Sequence, residues 1–130
     1  LGPNLWIDTT GNLKVNGVSI MTVPPDTWTV FAITCGLGYD ADGTFDLDIT
    51  VEGQPTVHFD DLAVGNPAFN RVNWFGFVSD ATWSQTFYVD DIHLAATPTG
   101  SGPAMPVNLV PMVACVVGII LISTRRLRRG

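Results

Sequence analysis

The chain has 130 residues, with 12 acidic side chains against 6 Lys and Arg, a net charge of −6 and two cysteines. All 12 acids lie between Asp8 and Asp91, offset there only by Lys14 and Arg71, so this part carries −10 and the four C-terminal arginines +4, which sum to −6. Such an acidic body excludes a nucleic-acid partner and suits cations or neutral ligands, and roughly a hundred residues before the terminal run suffice for one small core, not two domains.

Turn residues punctuate the chain at Gly11-Asn12, Asn16-Gly17, Pro24-Pro25-Asp26, Asp40-Ala41-Asp42-Gly43, Gly53-Gln54-Pro55 and Gly65-Asn66-Pro67. Between them lie short runs rich in Val, Ile, Thr, Phe and Trp, an all-β pattern. Strands are predicted near 4–8, 13–20, 28–36, 44–52, 55–60, 69–79 and 86–95. Trp28 to Cys35 is apolar on both faces and reads as a central strand, with Cys35 a small buried hydrophobe. In Phe45 to Glu52 the alternation is regular: Phe45, Leu47, Ile49 and Val51 face inward, and Asp46, Asp48, Thr50 and Glu52 face water. Asn70 to Ser79 reads as a second central strand, which would place Trp74, like Trp28, in the core. In the last strand Tyr88, Asp90, Ile92 and Leu94 share one face. If Ile92 and Leu94 point inward, Asp90 is buried and needs Arg71, backbone N–H groups or a calcium ion as partner. If Phe87 and Val89 point inward, the same argument moves to Asp91.

Two kinds of binding chemistry suggest themselves. Asp40 and Asp42, with Gly43 and Asp46, resemble half of an oxygen-ligand loop for Ca2+, and equally a polar hairpin turn; the distal bidentate Glu of a helix–loop–helix calcium site is missing. Asp90 and Asp91 are the better candidates for a structural calcium. Tyr39, after Gly36, and Trp83, in the turn region 79–85, are loop aromatics suited to stacking on sugar rings. Catalysis is not expected. The single glutamate, Glu52, sits at a solvent-facing strand end, Asp46 and Asp48 share a water-facing strand, and His58 and His93 lie in separate strands without a nucleophile motif.

The end of the chain follows a different logic. Residues 1–96 form the predicted outer β-domain and 97–106 a Pro/Gly/Ser linker. The run 107–124 has no charge over eighteen residues, and 125–130 is an arginine-rich tail. Eighteen helical residues span about 27 Å, close to a hydrocarbon core, so the run is predicted to be a transmembrane helix. Arg125, Arg126, Arg128 and Arg129 then stop transfer and place the C-terminus in the cytoplasm, with the domain facing outward. An exported domain needs an N-terminal signal, and none stands at Leu1, which predicts a chain truncated at its N-terminus.

Met105-Pro106-Val107, the apolar run and Arg125 to Arg129 resemble, in order, the bacterial PEP-CTERM type of C-terminal sorting signal, although no Pro-Glu-Pro occurs. The resemblance implies an exosortase-type sorting enzyme as a partner. Trp28 opening a strand, Phe45-Asp-Leu-Asp-Ile-Thr-Val, Trp74-Phe-Gly-Phe and Phe87-Tyr-Val-Asp-Asp-Ile-His-Leu together resemble the C-terminal part of a concanavalin A-like, LamG-type jelly roll over residues 4–95. The expected fold is therefore an antiparallel β-sandwich of that type plus one transmembrane helix. The expected function is a membrane-anchored, non-catalytic cell-surface protein that binds carbohydrate or an extracellular polymer. An accessory domain of a larger surface glycoside hydrolase and a purely structural envelope protein are the alternatives.

Overall fold

The computed structural model describes residues 1–80, 86–97, 115–116 and 118–125. Among these the chain is built from antiparallel strands, with one short 3-10 turn at Gly38–Asp40 and no α-helix. The strands are β1 (Leu5–Ile7), β2 (Asn12–Val15), β3 (Val18–Thr22), β4 (Thr29–Cys35), β5 (Thr44–Val51), β6 (Val57–Ala63), β7 (Thr86–His93), β8 (Ala96–Thr97), β9 (Cys115–Val116) and β10 (Gly118–Arg125). They form a three-stranded sheet β1-β2-β3, a five-stranded sheet β6-β5-β4-β10-β7 and the small pair β8-β9.

β4 and β5 are the centre of the molecule. Their register sets Phe31 opposite Ile49, Ile33 opposite Leu47 and Cys35 opposite Phe45, so one face of the pair is a continuous apolar strip. Phe45, Leu47, Ile49 and Val51 are each at most 3% exposed, as the alternation predicts. Leu13 and Val15 of β2 and Val23 after β3 join this strip in one core with Phe31, Leu37 and Val64. Burying each such side chain stabilises by about 1.5–3 kcal/mol against leaving it in water. Cys35 is buried there as expected.

The predicted strand 13–20 is two strands. Asn16 (φ 49°) and Gly17 (φ 82°) both lie in the left-handed region, which makes a two-residue hairpin turn whose twist matches that of its strands. The turn reverses the chain, so β2 and β3 pair with each other and Val18 is exposed. Asp8 fixes the preceding turn. Its Oδ1 accepts the Thr10 N–H at 2.9 Å, the Thr10 hydroxyl at 2.7 Å and the Asn12 N–H at 3.0 Å, while Lys14 Nζ lies 2.9 Å from Oδ2. The Thr10 hydroxyl first, and then Lys14, hold the Asp8 carboxyl well below the usual carboxylate range.

Three expectations fail. Residues 70–80 form no strand, and Trp74, expected in the core, is 70% exposed, with Trp28 38% exposed. The slot beside β4 that a central strand 69–79 would fill is taken by β10. In the described part of 107–124, the predicted helix is instead strand β9 and most of β10. Ile119, Ile120, Ile122 and Thr124 are β-branched, and an apolar run of this kind satisfies a buried strand as readily as a helix. No helix among the described residues is long and apolar enough to cross a membrane. The third failure concerns the buried carboxylate. Val89 is half-buried against the core, but Asp90 and Asp91 are both exposed.

That last failure has a local cause that appears twice. Phe59-Asp60-Asp61-Leu62 and Val89-Asp90-Asp91-Ile92 have the same pattern, and in each the second aspartate has positive φ, 54° at Asp61 and 52° at Asp91. The ladder shifts register at both places. A bulge of this kind breaks the strict alternation from which an inward Asp91 follows. β6 and β7 are the two outer strands of the five-stranded sheet, so each open edge carries a charged bulge that discourages further pairing.

Candidate functional site

Two polar arrangements stand out, and they differ in what they can do. The first lies on the outer face of β5 and β6, where Asp48 and His58 are directly opposite. The His58 ring lies between two carboxylates: Nδ1 bonds Asp48, and Nε2 is 2.6 Å from Asp60 Oδ1. The bond to Asp48 first, and then that to Asp60, raise the His58 pKa above its usual value. Both ring nitrogens are engaged and all three groups are half-exposed or more, so the imidazole acts as a cross-strand clamp. Beside it, Asp46 Oδ1 accepts the Asp61 N–H at 3.1 Å and supports the bulge.

The second arrangement is an open cleft of about 370 Å³ where the loop after β6 meets the chain start. Asn66, Asn70, Arg71 and Asn73 line it with polar groups, and Phe69, Ala68 and Leu1 with apolar ones. The loop is held from below. Asn66 Oδ1 accepts the Ala68 N–H at 2.9 Å, the Phe69 N–H donates to the Asn66 carbonyl at 2.9 Å, and Phe69 packs on the core. Gly2 lies against the Phe69 ring, where a Cβ would stand 2.5 Å from Cε2. Asn70, Arg71 and Asn73 are all exposed, and among the described residues no hydrogen bond or ion pair engages their side chains.

Tyr39 is linked to this cleft through its neighbour Gly38. It sits in the 3-10 turn Gly38–Asp40, and the Gly38 N–H donates to the Asn70 carbonyl at 2.7 Å, which ties that turn to the cleft wall. The turn is so tight that a Cβ on Gly36 would lie 1.9 Å from the Asp40 carbonyl oxygen, so glycine is required there. Tyr39 is 94% exposed, the most exposed of the large apolar side chains in this part of the chain.

The predicted site residues therefore separate. Tyr39 does not line the cleft but follows Gly38, whose N–H meets the cleft-lining Asn70, while Trp83 lies outside the described residues, as do Arg126, Arg128 and Arg129. Arg125 ends β10, its backbone opposite Thr86. The Asp42 carboxylate is taken by Thr44, whose N–H and hydroxyl both donate to Oδ1 at 2.9 Å, and these bonds, the N–H first, lower its pKa. Asp90 Oδ1 accepts the Asp91 N–H at 2.9 Å within the bulge. Among the described residues no three His, Cys, Asp or Glu side chains converge as a metal site. Sequence reasoning missed the cleft: Asn66, Phe69, Asn70, Arg71 and Asn73 fall in a segment whose only signal was its density of side-chain amides. Compared with known protein families, curated proteins and solved structures, the chain matches none.

Proposed function

We propose that the protein is a non-catalytic binding module, a β-sandwich of jelly-roll type, that holds a neutral carbohydrate or extracellular polymer at the outer face of a bacterial membrane. The observation that carries this reading is the cleft with Tyr39 at its side. Sugar hydroxyls need several donors and acceptors at fixed spacing and an apolar ring face to stack on. Asn70, Arg71 and Asn73 are exposed and supply donors without a partner among the described residues, and Phe69 and Tyr39 supply ring surface. An open cleft suits a chain passing across it more than a small enclosed ligand. The net charge of −10 before residue 125 disfavours polyanions, which leaves neutral glycans as the best match.

The tether rests on the uncharged run 107–124 and the arginines that follow it. On this reading the strand pairing of 118–125 is the form the run takes outside lipid. A glycan array probed with the full chain tests the binding. Retention of neutral polysaccharides that falls at least about fivefold in Tyr39→Ala and in Asn70→Ala is expected, from the ~1–3 kcal/mol that one stacking or polar contact contributes. Binding indifferent to both substitutions refutes the site.

A further inference from the structure

We propose that Trp74 is a further contact for the bound polymer: a fixed ring platform, directly after the cleft-lining Asn73, on which one pyranose unit of a neutral glycan stacks by its C–H face. The inference rests on the carbohydrate-binding reading above and adds to it a residue and a ligand geometry.

The first observation is how the indole is seated. Trp74 is 70% exposed, yet its ring rests on the chain. A Cβ built on Gly76 would stand against Cζ2 of Trp74, 2.8 Å from Cη2 and 3.1 Å from Cε2, so the six-membered half of the indole lies on the bare Cα of Gly76. Backbone supports one part of the ring, and the rest is open. Any side chain at position 76 would take the place of the indole, which makes the glycine a condition of this seat.

The second observation is that the segment beneath the ring is anchored. Phe77 packs on the core, meets Phe75 edge-on at 5.5 Å between ring centroids and lies 6.5 Å from the ring of Phe87 in β7. Phe75 and Phe77 thus alternate along the chain with Trp74 and Gly76, the first pair joined to the core cluster and the second carrying the exposed indole. A ring held in this way loses little freedom when a ligand arrives, so more of the stacking energy appears as affinity.

The third observation is the company the ring keeps. A single exposed apolar side chain is ordinary and by itself means nothing. Here Asn73, which lines the cleft with Asn70 and Arg71, is one Cα step of about 3.8 Å from Trp74. Donors beside an aromatic face suit a saccharide, whose hydroxyls lie around the rim of its ring and whose C–H bonds point from its faces. A pyranose with every hydroxyl equatorial turns axial C–H bonds to both faces. A linear, β-linked chain of gluco-configured units therefore fits best. An apolar partner surface would call for apolar neighbours where Asn70, Arg71 and Asn73 stand.

Isothermal titration of the full chain with cellohexaose, in a detergent without a sugar head group, tests this. Trp74→Ala is expected to weaken binding at least about fivefold with the melting temperature unchanged, and Trp74→Phe to keep most of the affinity. Gly76→Ala keeps the indole but occupies its seat, so its affinity should fall between those of the parent chain and Trp74→Ala. Parent affinity in Trp74→Ala, with binding lost in Asn70→Ala, sinks the platform and leaves the cleft. The converse pattern keeps the platform and sinks the cleft. A parent chain that ignores cellohexaose but retains another neutral glycan on the array overturns the gluco-configured ligand. Unchanged glycan affinity in Trp74→Ala, together with a dimeric parent that becomes monomeric in sedimentation, would assign the ring to a second copy of the chain and overturn the proposal.

Discussion

Thr29 offers a substitution whose expected sign is the reverse of what a buried position ordinarily gives. It opens β4, is fully buried, and stands opposite Val51 of β5 and Ile122 of β10. Its Oγ1 is closed off from solvent and has no hydrogen-bond partner among the described residues. A desolvated, unsatisfied hydroxyl costs about 1–3 kcal/mol. Thr29→Val keeps the shape and the β-branch and replaces that hydroxyl by a methyl, so a net gain of about 1 kcal/mol is expected, taking the low end because a hydroxyl rotor relaxes. For a domain of about 100 residues this raises the melting temperature by roughly 4–8 °C. Thr29→Ser keeps the hydroxyl, deletes the methyl and should lose about 1 kcal/mol. Calorimetry of the full chain and both variants in one buffer measures the differences. A Thr29→Val protein that melts below the parent chain refutes the reasoning, since it would show that the hydroxyl has a partner or that the site rejects a methyl.

Three further predictions address other parts of the account. Gly36→Ala should destabilise by about 1–3 kcal/mol or more, because the added Cβ meets the Asp40 carbonyl and the turn must open, and denaturant unfolding reads it directly. His58 has a raised folded-state pKa, so its contribution is full below the unfolded value of 6.5 and is lost as pH rises through the raised value. The melting temperature should therefore fall over that window in the parent chain and less in His58→Gln, with the difference shrinking in high salt because the groups are half-exposed. Because the Asp42 carboxylate is engaged by Thr44 and that of Asp90 by the Asp91 N–H, a chelator should leave the melting temperature unchanged, and a rise of several degrees in millimolar calcium would contradict this.

Where one periodicity governs a segment, the chain could be read directly. Phe45, Leu47, Ile49 and Val51 show on which face β5 is buried, and β4 follows because it is apolar on both faces. The Asn16-Gly17 turn was legible as turn chemistry, yet the apolar residues on either side favour one longer strand unless the turn is given priority. Asp90 and Asp91 defeated the parity argument because a bulge inserts one residue, and the matching Asp60-Asp61 pair shows that the dipeptide itself was the signal. For Arg71–Ser79 and the terminal run the difficulty is competition. Both are apolar enough for the slot beside β4, and local pattern cannot say which of two segments takes one place. The cleft was hidden for another reason: loop asparagines obey no period, and only the Gly38–Asn70 contact brings Tyr39 to them.

The most direct test of the binding account is a residue-by-residue NMR titration of the full chain, in detergent, with neutral oligosaccharides. The account predicts amide shifts concentrated at 36–42 and 66–73, with saturation lost in Tyr39→Ala. Shifts confined to the outer face of β5 and β6 around His58, or none at any glycan concentration, would contradict it.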